Sequence, residues 1–194
     1  QLVGSVRWAA LLVPSLLIGL FAGMSATGEW RDFLLWRNQQ PFGTTDAYFK
    51  RDLGFYIFNL PWLHFVVDFA TTALIICLIV AAVVHYVFGG IRLVGGLWVS
   101  AGARVQMSIL LALVLVLKGV DYWLARFDLV LDDGGLITGM TYARDHAVLP
   151  SRNILMFIAF VCAALVLANI FRSGFLLAGV SIGLMVLSAV LIGM

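Results

Sequence analysis

Four side chains that can carry charge or move a proton lie within or beside apolar runs: His64, Asp68, Lys118 and Asp121. An ionisable group in hydrocarbon is expensive, so each needs a reason to be there. His64 and Asp68 are four residues apart, and Lys118 and Asp121 three apart, so each pair shares a helix face. Asp68 stands seven residues beyond Pro61, and Lys118 eight before Arg126. On antiparallel neighbours, at about 1.5 Å per residue, both would lie roughly 10–12 Å below one surface. The expectation is an ion pair between Asp68 and Lys118, with His64 and Asp121 nearer the surface. Such a pair could neutralise itself and fix helix register. It could also belong to a proton or ion path, which needs similar groups through the whole depth. At the opposite face only His85 is comparable.

Other chemistry is hard to find. Cys77 and Cys162 each sit in an apolar run and read as small hydrophobes. Asp128, Asp132, Asp133 and Asp145 make a loosely acidic stretch without calcium-loop spacing. The glycine pairs Gly89-Gly90, Gly95-Gly96 and Gly134-Gly135 read as turns rather than phosphate cradles. No nucleophile has a base at a telling spacing. No catalytic residue, cofactor or metal ligand is assigned, and the chain is not read as an enzyme. A net charge of +2 gives no reason to expect nucleic acid.

The elements that carry these residues follow from composition. The chain is 63% hydrophobic and 11% charged, against about 25% charged in soluble domains. It cannot cover a soluble surface. Five apolar runs, near 6–27, 62–88, 104–127, 150–172 and 175–194, are long enough to cross a bilayer. Spanning segments must satisfy their own backbone, so the runs should be helices. The expected fold is all-α: a polytopic membrane bundle of five transmembrane helices. Gly19 with Gly23, and Gly179 with Gly183, have the four-residue spacing that allows close helix approach. Between the first two runs, residues 28–61 read as a structured connection pressed on the interface. Its aromatics Trp30, Trp36, Phe42, Tyr48, Phe55, Tyr56 and Trp62 suit the headgroup layer. Pro61 is read as the start of the second span, and residues 128–149 as an external loop. The chain begins with Gln1 and stops at Met194 inside an apolar run, so it reads as a piece of something longer.

Several separate motifs then share one resemblance. PFG at Pro41, DLGFYIFNLPW at Asp52, VHYVFGGIRL at Val84, LKGVDYWLARFDL at Leu117 and TGMTYARDHAVLP at Thr138 recur in order. Together they resemble the uncharacterised bacterial membrane family numbered 0182 in the UPF series, common in actinobacteria. The chain departs from it at Asp46-Ala47, where the family has Asp-Pro, around Lys50-Arg51, and between Gly95 and Gly102. The resemblance implies about seven spans, of which the five here would be the third to seventh, and a large domain outside the cytoplasm. By parity it places Arg7, Arg92, Arg104 and Arg172 inside, and the 28–61 and 128–149 connections outside. The Lys/Arg count of the loops alone points the other way. The resemblance brings no activity, cofactor or catalytic residue. The expected function is a multi-pass cell-membrane anchor or scaffold in the cell envelope. Its partners would be the lipid bilayer and other membrane proteins, or an extracytoplasmic domain of the same protein. The alternative is a transporter or channel using Asp68 and Lys118.

Overall fold

The computed structural model describes residues 16, 19–20, 22–24, 26–92, 98–131, 139–171 and 176–193. Within them the chain forms two compact units, Gln1–Thr45 with Arg51–Trp62, and Asp46–Lys50 with Leu63–Met194. The architecture is helical, as the apolar runs require. Three helices are long and apolar enough to cross a membrane: Phe55–Val87, Ala101–Leu131 and Arg144–Ala168. The expected first span, 6–27, lies largely outside the described residues. The last run contains a helix, Leu176–Gly193.

In the first unit, helix α1 (Trp30–Arg37) follows a 3-10 turn at Thr27–Glu29. The Phe33 and Trp36 rings pack on Trp62, at centroid distances of 5.3 and 5.9 Å. Trp30 on the same helix is 64% exposed. The loop that follows is organised by one carboxylate. Asp52 accepts N–H bonds from Phe42 (3.1 Å), Gly43 (3.0 Å) and Gly54 (2.7 Å). The amides of Phe42 and then Gly54, with that of Gly43, hold this carboxyl below the usual carboxylate range. Phe42 stacks on Phe58 at 5.8 Å. Tyr56 is 3% exposed, so its ring packs against protein.

Two long helices open in the same unusual way. A five-residue π-turn at Phe55–Asn59 leads into Leu60-Pro61, and another at Arg144–Val148 leads into Leu149-Pro150. In each, the leucine N–H reaches back five residues, to the carbonyls of Phe55 and Arg144. A proline ring collides with the carbonyl four residues before it and offers it no N–H. Widening the preceding turn moves that carbonyl aside. Pro61 is therefore not the start of its span, because helical backbone begins at Leu53 and runs through it.

The second unit holds most of α2 (Leu60–Val87), then α3 (Ala101–Leu131), α4 (Leu149–Ala168) and α5 (Leu176–Gly193). Helix α2 ends on Gly89, whose φ of +73° suits the left-handed cap that glycine adopts without strain. Two short strands, β1 (Ile91–Arg92) and β2 (Trp98–Val99), pair antiparallel in the link to α3. The core joins α3, α4 and α5 through Ala112, Leu115, Ala159, Cys162, Ala163, Val166 and Met185. Lipid tails are as apolar as leucine, so small side chains that permit close contact must supply the attraction. Gly119 takes this furthest: a Cβ there would come within 2.9 Å of the Phe160 ring. The four spaced glycines behave differently. Among the described residues, nothing lies within 4 Å of a Cβ built at Gly19, Gly23, Gly179 or Gly183.

Gly54 tests the carboxylate-centred loop. A methyl there would meet Asp52 Oδ1 and the Gln40 carbonyl at 2.9 Å, an overpacking of about 1–3 kcal/mol. Gly54→Ala should speed tryptic cleavage after Lys50 or Arg51 several-fold. Gly28→Ala, which faces open space, should leave it unchanged.

Candidate functional site

Helix α2 is tied to α3 by a histidine at each end. His64 Nε2 donates to Asp128 Oδ1 at 3.1 Å, and His85 Nε2 donates to Gln106 Oε1 at 3.0 Å. The histidines are 21 residues apart, about 31 Å along a helix. That matches the roughly 30 Å hydrocarbon thickness of a bilayer. Between them α2 carries one charge, Asp68.

These contacts fix an antiparallel register that corrects the expected Asp68–Lys118 pair. In it, Asp68 lies level with Leu124, and Lys118 with Leu74. The two charges are about six residues, or 9 Å, apart along the axis. Lys118 Nζ instead donates to Asp121 Oδ2 at 2.5 Å and lies 5.5 Å from the Tyr122 ring centre. Asp68 is exposed on α2, and among the described residues no ion pair reaches it. The physical cause is helix length. The expected span ended at residue 127, but buried Phe127 and Leu129 carry α3 on to Leu131. Asp128, expected in an external loop, is thus helical and sits at the depth of His64. The depth comparison applied to Asp68 would have found this pair had the helix end been placed correctly.

Around that end of α3 a polar collar forms. Arg126 donates to Asn153 Oδ1 (3.0 Å) and the Trp123 carbonyl (3.2 Å), with its guanidinium 5.7 Å from both the Trp123 and Phe127 rings. Arg152 donates to the Ala125 carbonyl across the α3–α4 boundary. The segment Asp46–Lys50 packs here, with Phe49 and Phe127 5.0 Å apart. Asp46 folds that segment by accepting N–H bonds from Tyr48 (3.0 Å) and Phe49 (2.6 Å). The turn therefore forms with alanine at position 47. The Tyr48 hydroxyl donates to Asp145 Oδ1, while Asp145 Oδ2 lies 3.4 Å from His146 Nδ1. The hydrogen bond to Asp145, then burial and the carboxylate's charge, push the Tyr48 phenol above its ordinary value.

The collar can bind and position charge. Among the described residues no group of three His, Cys, Asp or Glu side chains could hold a metal. Sequence reading singled out His64 and Tyr48 but missed Asp128, Asp145, Arg126 and Arg152 as their setting. Those contacts join residues up to 97 apart, and only placement of the helix ends brings them together.

Two measurements check this geometry. A hydrogen bond to a charged partner contributes about 1.5–3 kcal/mol, and a neutral one about 0.5–1.5 kcal/mol. His64→Ala should therefore raise hydrogen exchange at the start of α2 more than His85→Ala raises it at the far end. The second concerns Tyr48. A phenol whose folded pKa is raised stabilises the docked segment below the unfolded value of 10.0, and that contribution is lost as pH rises through the folded value. In a phenolate absorbance titration, Tyr48, isolated by subtracting Tyr48→Phe, should ionise above a free tyrosine. Asp145→Asn should bring it back down.

Comparisons with known proteins place the chain. A family profile described as "Uncharacterised protein family (UPF0182)" matches residues 1–194. A UPF0182 protein of a Nocardioides species is 51% identical, covering 100% of this chain and 19% of the relative. Relatives from Frankia casuarinae (44%, 94% of this chain, 18% of theirs) and Streptomyces coelicolor (42%, 96% and 19%) are similar over the same region. The chain thus spans about one fifth of the length of these relatives. No solved structure matches. By profile and by identity, this chain belongs to the UPF0182 family.

Proposed function

We propose that this segment is a multi-pass membrane scaffold, which anchors the remainder of a longer envelope protein and docks against another membrane protein. Asp68 carries the reading. It lies four residues past His64, about 6 Å inside the edge set by that histidine. It is exposed among the exposed apolar side chains Val66 and Phe69. A carboxylate facing hydrocarbon costs about 2.5–3.5 kcal/mol at mid-depth, and a cationic or hydrogen-bonding partner laid over this face removes that cost. The open faces at Gly179 and Gly183 give a second surface where a helix backbone could approach closely.

Transport is the competing reading, since an unpaired carboxylate in a span can also serve an ion path. Against it, Lys118, His64 and Asp128 are engaged in local pairs. Purification of the full-length protein in mild detergent, followed by identification of what stays attached, separates the two. A co-purifying membrane protein is expected, reduced about tenfold by Asp68→Leu, since removing the buried partner of a charge leaves that charge uncompensated. A solitary species that moves an ion across liposomes, with the flux abolished by Asp68→Asn, would overturn the scaffold.

A further inference from the structure

We propose that the end of α3 binds the headgroup of a zwitterionic phospholipid of the phosphatidylethanolamine class, with Arg152 on the phosphate and Asp128 on the ammonium. Asp128, Leu129, Leu131 and Arg152 line one cavity of about 320 Å³. Two opposite charges face this space, yet no ion pair joins them. Each is held back by another contact. Arg152 donates to the Ala125 carbonyl, and Asp128 Oδ1 accepts from His64. One N–H of five is used on the guanidinium, and Asp128 Oδ2 is left to accept. A separated cation and anion across a small cavity match a ligand that carries the reverse pair, a phosphate and an amine two carbons apart.

Location selects a lipid over a soluble zwitterion. Asp128 belongs to the contact that marks one edge of the apolar layer. Leu129 is buried and Leu131 is 53% exposed beside it, which gives the glycerol and first acyl carbons an apolar wall. Chemistry selects the headgroup. A primary ammonium donates hydrogen bonds to Asp128, whereas the quaternary ammonium of phosphatidylcholine has none to give. Phosphatidylglycerol keeps the phosphate for Arg152 but offers Asp128 only neutral hydroxyls in place of an ammonium.

Native mass spectrometry of the full-length protein, released from bilayers of equal phosphatidylethanolamine, phosphatidylcholine and phosphatidylglycerol, tests this. The wild type should retain phosphatidylethanolamine about tenfold over phosphatidylglycerol, the ratio of one charge-assisted hydrogen bond. Asp128→Asn keeps an oxygen for His64 and should bring that preference near parity. Arg152→Lys should lower retention of all three lipids several-fold. Equal retention by the wild type, or an unchanged preference in Asp128→Asn, would overturn the proposal even if Arg152→Lys fails to fold. Binding of soluble phosphoethanolamine with no lipid retained would overturn the membrane source.

Discussion

A helix crossing an apolar layer can afford polar contacts only where the layer ends, and that constraint arranges this chain. His64 and His85 stand on α2 at a separation close to the thickness of bilayer hydrocarbon, and each meets a polar partner on α3. Between them α2 shows Ile75, Ile76, Ile79, Val80, Val83 and Val84 to its surroundings. The helix is held at its ends rather than along its length. The contrast is α3 with α4, where Ala112, Ala159, Cys162 and Ala163 let the backbones close along a seam. One bundle thus uses both ways of joining helices without a hydrophobic driving force: hydrogen bonds at the rims and small residues in the middle.

Helix class was legible because it follows from backbone chemistry in an apolar solvent, and the apolar runs located three of the long helices well. Helix ends were not legible, and the site depended on them. Ending α3 at residue 127 turned Asp128 into a loop residue and slid Lys118 to the depth of Asp68. An error of four residues is about 6 Å, more than the reach of a hydrogen bond. Phe127 and Leu129, both buried, were the available signal, because apolar side chains continued beyond Arg126. The glycines teach a related lesson. The spacing singles out Gly19, Gly23, Gly179 and Gly183, which meet nothing within 4 Å among the described residues, while Gly119, with no glycine four residues away, is pressed on the Phe160 ring. Spacing describes what a helix face permits; only the neighbour decides whether it is used.

The paired π-turns show local chemistry that a position rule hides. Proline near the start of an apolar run is ordinarily read as the first helical residue, since its missing N–H costs nothing there. Here Leu60-Pro61 and Leu149-Pro150 follow a turn that is already helical. The extra residue per turn accommodates each ring without breaking the helix. It also rotates the residues before the proline relative to those after it. Asp145 and His146 belong to such a turn, so the direction in which Asp145 meets Tyr48 depends on Pro150 being tolerated rather than avoided.

Where charge is satisfied and where it is not then separates structure from possible function. Lys118 and Asp121 answer each other within one helix, and the collar at the end of α3 answers most of its own charges through Asn153, Ala125 and His64. Two exceptions at that end differ in kind. Asp128 and Arg152 share a cavity without closing on each other, which suits a small ligand carrying both signs. Asp68 stands on an outward face with apolar neighbours, which suits a surface rather than a small molecule. A protein that conducts ions would place its unsatisfied groups in a line through the layer. Asp68 and Asp128 both lie toward one rim, within about 6 Å of the level set by His64, while near the other rim the buried Arg104 Nε has no partner among the described residues. Unsatisfied groups at the rims, where the apolar layer ends, are where lipid headgroups or a partner could reach them.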